Sequence, residues 1–152
     1  MDRKSLTQAL LAKETGLYFV SIREAVDMHA KTIQEFGGTP GVRDVGLLES
    51  ALHRPMMLAI ERDERDPFVL SASVASAIVA NRPFLDGNKR AAYLVSLRML
   101  EKNGIIIDPD VAAAAEIFTD LAADKRTEED LPAWLRQQVS CHSDDVKAST
   151  SL

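Results

Sequence analysis

Hydrophobic positions recur at helical spacing over most of the chain, and polar residues mark where each run starts and stops. Ile22, Ala25, Val26, His29, Ile33 and Phe36 fall on one face of a helix. Ser21 and Glu24 open it as a capping box, the hydroxyl accepting a first-turn N–H and the carboxylate reaching back. Gly37-Gly38 supplies a left-handed stop, and Leu17 to Val20 ahead of it reads as a short extended piece. Asp44 precedes Leu47, Leu48, Ala51 and Leu52, which predicts a second helix reaching at least Arg54, with Pro55 bending or ending it. Ile60 to Arg65 is charged and without periodicity, so it reads as an exposed connection. Asp66-Pro67 opens a third helix, Phe68 to about Asn81, because proline at the first helical position loses no hydrogen bond. A fourth runs from about Asn88 to Asn103 and stops at Gly104. Both read as apolar on nearly all faces and therefore as central. Asp108-Pro109 starts a fifth helix through Ala123, and Thr127 to Asp130 caps a sixth carrying Leu131, Trp134 and Leu135. The pattern predicts an all-α bundle of about six helices around two central ones. It divides into an N-terminal extension (1–16), a folded domain (17–138) and a polar C-terminal tail (139–152).

Composition narrows the function. The 152 residues are 46% hydrophobic and 27% charged, which suits one domain with a real core and excludes a disordered chain. A formal charge of -5 argues against a general nucleic-acid or anionic-membrane binder, so no direct DNA binding and no membrane partner are expected. The single Cys141 excludes an internal disulfide framework and any multi-cysteine zinc site. No apolar run reaches membrane-spanning length and the N-terminus makes no convincing signal peptide, so a reducing, cytoplasmic location is expected.

The segment Asn81 to Arg90 joins the two central helices and holds the densest group of special residues. A loop running into a helix N-terminus presents unpaired N–H groups at the positive end of the helix dipole, which is a seat for phosphate. Gly87 lets the backbone approach closely, and Lys89 and Arg90 add positive charge where the dipole favours an acid. Asp86 is the one carboxylate of the segment, and a carboxylate together with ligand phosphates is a common way to hold magnesium. The same residues also fit a plain Asp-Gly-Asn turn followed by a solvated helix face.

Pro83-Phe84 followed by Asp86-Gly87-Asn88-Lys89-Arg90 resembles the signature of Fic-domain proteins, H-P-F-x-[DE]-G-N-[GK]-R, in the Lys form found in Doc toxins. Upstream, Phe36-Gly37-Gly38 and the run from Gly41 to Leu52 are similar to a stretch typical of Doc-like proteins, so the resemblance covers roughly residues 18 to 137. It implies a Fic/Doc-like helical fold and a toxin that transfers the terminal phosphoryl group of ATP to a hydroxyl of elongation factor Tu. It also implies silencing by a prevent-host-death type antitoxin. Carried onto this chain, Asp86 would hold Mg2+, Gly87 and Asn88 would form an anion hole, Lys89 and Arg90 would grip the phosphates of ATP, and Phe84 would anchor the loop. Lys89 stands where AMP-transferring relatives have Gly, which favours phosphoryl over AMP transfer.

The departure is Arg82, at the position of the family's catalytic His. Arginine stays protonated throughout the physiological pH range and cannot accept a proton, and loss of a general base costs about 10²–10⁴-fold. The expectation is a chain that is inactive or nearly so: either a toxin silenced by substitution or a silent member that only binds nucleotide or antitoxin. Arg82 would add a third cation to the loop. Elsewhere, His29 reads as a buried, hydrogen-bonded histidine within reach of the site. His53 and His142 lack metal-ligand spacing, and Cys141 lacks a built microenvironment. By the resemblance, Met56 to Asp66 corresponds to the flap by which Fic-like proteins dock a target segment, and it fits a plain solvated loop equally well; Phe118 and Trp134 read as core.

Overall fold

Capping chemistry sets the element boundaries, and a computed structural model describes them for residues 3–139. Helix α1 spans Arg3–Thr15, α2 Ile22–Phe36, α3 Val45–Glu61, α4 Pro67–Asn81, α5 Asn88–Lys102 and α6 Val111–Ala122. A 3-10 turn, Glu128–Asp130, leads into α7, residues 131–139. Ser21 and Glu24 form the expected reciprocal box on α2. The Asp44 carboxylate accepts from Leu47 N–H on α3, and that of Asp66 accepts from Phe68 N–H ahead of Pro67 on α4. The chain is all-α among the described residues, with one isolated antiparallel bridge between Val42 and Phe84.

The N-terminal extension contains a helix, α1, whose Leu11 is buried in the main core while Leu6 and Leu10 stay exposed. Three expectations are corrected. Pro55 does not end its helix: α3 runs six residues further, to Glu61. Its ring is fully buried beside the buried Leu52, Met56 and Ala59, so packing offsets the lost N–H bond. The cap of α6 is Asp110, which accepts from Ala113 N–H, rather than Asp108. And α5 is not apolar all round. Ala91, Ala92, Val95, Ser96, Met99 and Leu100 are buried, while Lys89, Arg90 and Glu101 are exposed. Residues 140–152, and with them Cys141, His142 and nearly all of the expected tail, lie outside the described residues.

Helix α4 is the centre of the molecule, packed by α3, α5, α6 and the 3-10 turn, and it buries seven residues from Leu70 to Ile78. Helix α5 returns beside it and also meets α2 and α6. The pairing of α2 with α5 is antiparallel. Glu24 near the start of α2 bonds Arg98 and Lys102 near the end of α5, whereas Phe36 at the end of α2 meets Arg90 at the start of α5. That arrangement brings the C-terminus of α2, the C-terminus of α4 and the N-terminus of α5 to one end of the bundle.

Candidate functional site

The loop between α4 and α5 is held from below by its aromatic residue. Phe84 is 1% exposed and stacks on the His29 ring with centroids 3.9 Å apart and 8° between planes. His29 Nε2 donates to the Asp86 carbonyl at 2.8 Å, so the buried, bonded histidine read from the sequence is also a support of the site. The Asn88 amide closes the loop on itself, its Oδ1 accepting from Phe84 N–H at 2.9 Å and its Nδ2 donating to Phe84 O at 3.0 Å. Phe84 therefore anchors the segment, as expected.

Above that anchor, α5 begins without a conventional cap. Gly87 is left-handed (φ 72, ψ 25), no side chain caps the helix and its first turn has no acid. The first intrahelical bond runs from Ala91 N–H to Gly87 O, so the N–H groups of Asn88, Lys89 and Arg90 have no intrahelical acceptor. The Gly87 N–H donates to Asp86 Oδ1 at 2.8 Å. With that donor engaged and the Asn88 side chain bonded to Phe84, the Asn88 backbone N–H is what these two residues offer an anion. None of Arg82, Lys89 and Arg90 is salt-bridged to a described residue, and the Arg90 guanidinium lies 4.7 Å from the centre of the Phe36 ring. Three cations beside unpaired N–H groups raise the local potential sharply, which favours an anionic ligand.

Asp86 is exposed and its Oδ2 accepts from Thr39 N–H at 3.1 Å. That bond, followed by the one from Gly87 N–H, holds the Asp86 carboxyl below the usual carboxylate range. It is ionised at neutral pH with lone pairs to spare, so it fits a divalent cation shared with ligand phosphates. No group of three metal-binding side chains occurs among the described residues, so phosphates or water would complete such a shell.

All six residues singled out from the sequence, Arg82, Asp86, Gly87, Asn88, Lys89 and Arg90, line one cleft of about 930 Å³. Lys31, Thr32 and Glu35 of α2 form one wall, and Val111, Ala115 and Phe118 of α6 another. His53 lies apart, in a second groove with Met57 and Arg62. The flap expectation is corrected: residues 56–61 are helical, and the loop 62–66 enters α4 at the end opposite Arg82, about 22 Å away along 15 residues. The segment that does reach the site is 37–44, through Thr39 on Asp86, the Val42–Phe84 bridge and Arg43, whose side chain bonds the carbonyls of Asn81 and Arg82. Sequence reasoning gave Thr39 and Arg43 no role, and the glycines around them were the available signal.

Residues 19–100 match the model of the Fic/DOC family. The chain belongs to the Fic/DOC family. A "Protein kinase doc" of Escherichia phage P1 is 30% identical over 113 residues, 69% of this chain and 90% of that protein. A "Toxin Doc" of Mycolicibacterium smegmatis is 32% identical over 90 residues, 57% of this chain and 69% of that one. As a Doc-type member of the Fic/DOC family, the chain shares the family's helical frame, and the motif loop falls within the matched span.

Proposed function

We propose that this chain is a Doc-type toxin of a toxin–antitoxin module whose cleft takes ATP with Mg2+ at the start of α5. The observation that carries the reading is the uncapped α5 N-terminus, with Lys89 and Arg90 in its first turn and Asp86 beside it, opening on a 930 Å³ cleft. The names of the two relatives, a protein kinase and a toxin, support phosphoryl transfer as the ancestral reaction. The N–H groups of Asn88 to Arg90, with the Lys89 and Arg90 side chains, would hold the phosphates, and Asp86 would hold the metal, which supplies charge neutralisation on the phosphates. The acceptor is a protein hydroxyl, on elongation factor Tu by family resemblance, and the effect is inhibition of translation in the cytoplasm. A prevent-host-death type antitoxin is the expected partner.

Arg82 cannot accept the proton of an attacking hydroxyl, so this chain binds nucleotide with little or no transfer. That makes a non-catalytic nucleotide- or antitoxin-binding member the second reading, favoured by Arg82 alone. AMP transfer is disfavoured by Lys89, which crowds the seat with a second cation.

The test compares the chain with its Arg82→His form in bacterial growth and in label transfer from ATP to a cytosolic extract. Growth arrest and γ-label on a protein band with the His form only, a gain of about 10²-fold or more, supports the toxin kinase. Transfer of α-label would instead mark an AMP transferase. Silence of both forms despite ATP binding would leave the binding protein.

A further inference from the structure

Residue 82 is the last link between α4 and the site, and its backbone is in an uncommon state. Arg82 has φ 49 and ψ 56, the left-handed region, which costs a non-glycine residue about 1–2 kcal/mol and in which His, Asn and Asp, but not Arg, are enriched. Two features of the chain bear on it. Pro83 follows, and a residue before proline is pushed out of the right-handed helical region toward extended conformations. Helix continuation is therefore blocked, yet the extended form that proline favours is not the one adopted.

Arg43 bonds the backbone on both sides of this left-handed residue. Its Nε donates to Arg82 O at 2.8 Å, its Nη2 donates to Asn81 O at 2.8 Å, and its backbone N–H donates to Pro83 O at 2.7 Å. One residue thus engages three successive carbonyls across the turn. The guanidinium fork matches two of them at the negative end of the α4 dipole, where a cation is favoured. An extended residue 82 would carry its carbonyl out of reach of this fork. We propose that Arg43 is a positioning residue for position 82: it holds that residue's backbone in the conformation that places the Arg82 side chain on the cleft. This inference rests on the nucleotide reading of the cleft and assigns a role to a side chain that does not itself line the cleft and reaches it through the backbone of Arg82.

The test is a double-mutant cycle on ATP binding, by calorimetry at low salt with Mg2+, using the full chain and its Arg43→Ala, Arg82→Ala and doubly substituted forms. A residue acting through Arg82 has nothing left to do once the Arg82 side chain is gone. Each single change is expected to weaken ATP about three- to tenfold, as for a lost charged contact to phosphate, and the double change no more than the larger single. Arg43→Lys is expected to recover part of the loss, since an ammonium reaches one carbonyl but lacks the fork. It also replaces Arg43→Ala in the cycle should that form not fold. A double loss equal to the product of the single losses overturns the inference and leaves the nucleotide reading standing. So does an Arg82→Ala form that binds ATP unchanged. Failure of the unchanged chain to bind either ATP or inorganic tripolyphosphate defeats the nucleotide reading, and the inference falls with it.

Discussion

Gly38 leaves no room for a side chain beside Asp86. A Cβ there would lie 2.9 Å from Asp86 Oδ2 and 2.9 Å from Ile33 Cδ1, and the backbone has φ +119, which L-residues rarely adopt. Gly38→Ala must move either the carboxylate or the segment that presents Thr39 N–H to it. We expect a stability loss of about 1–3 kcal/mol, together with a fall in the magnesium-dependent part of ATP binding while the magnesium-free part is retained. Titration of ATP with and without Mg2+ checks it, and an equal loss in both would mean that Asp86 holds no metal. This residue also shows where sequence reading of the site stopped. Arg82 to Arg90 was legible because its groups are contiguous and their chemistry is local. The partner of Asp86 is 47 residues away at Thr39 and acts through a backbone N–H, which leaves no mark in residue identity. His29 was legible as a buried histidine, but its 57-residue span to the Asp86 carbonyl is a product of the α2–α5 packing.

At the scale of elements, the same division holds. The starts of α2, α3 and α4 were legible in Ser21, Asp44 and Asp66 because capping is decided by a side chain and an N–H two or three residues away. The interior Pro55 and the N-terminal α1 were not legible, because burial of the proline ring and docking of Leu11 depend on what the rest of the chain places against them. The exposed Phe36 likewise escaped its helical-face reading, since it closes on Arg90 rather than on the core. The α4–α5 connection depends on both kinds of force. Asn88 belongs to α5 yet spends its amide on Phe84, so it ties the helix start to the buried ring. Asn88→Ala would strand a backbone N–H and a carbonyl next to a fully buried side chain, at a cost of about 1–3 kcal/mol. Thermal denaturation should show the loss in full for Ala and in part for Asn88→Asp, which keeps the acceptor and loses the donor. Equal stability of all three would mean that the loop is held by Phe84 stacking alone.

For the molecule as a whole, the site end of the bundle can be no firmer than the register of α2 against α5, and that register is fixed at the opposite end. Glu24 accepts from Lys102 Nζ and from Arg98 Nε at 2.9 Å, while Lys102 also donates to Phe19 O at 2.8 Å. Burial pushes the Glu24 carboxyl up, but bonds from Lys102, Ser21 N–H and Arg98 outweigh it and hold the group below its ordinary range. A carboxyl depressed on folding contributes stability that is complete above its unfolded value of 4.5 and is lost as pH falls through the lower folded value. Glu24→Gln removes the charge while keeping an acceptor for the capping box. At pH 7 the variant should be less stable by about 1–2 kcal/mol, roughly 3–8 °C in melting temperature. In acid the native chain becomes neutral at this position, so the gap between the two melting curves should close from about pH 4.5 downward. Other carboxylates titrate in the same range and lower both curves together, so the difference isolates Glu24. A gap that stays constant between pH 7 and pH 3 would show that the charge contributes nothing and that α2 is seated on α5 by its apolar face alone.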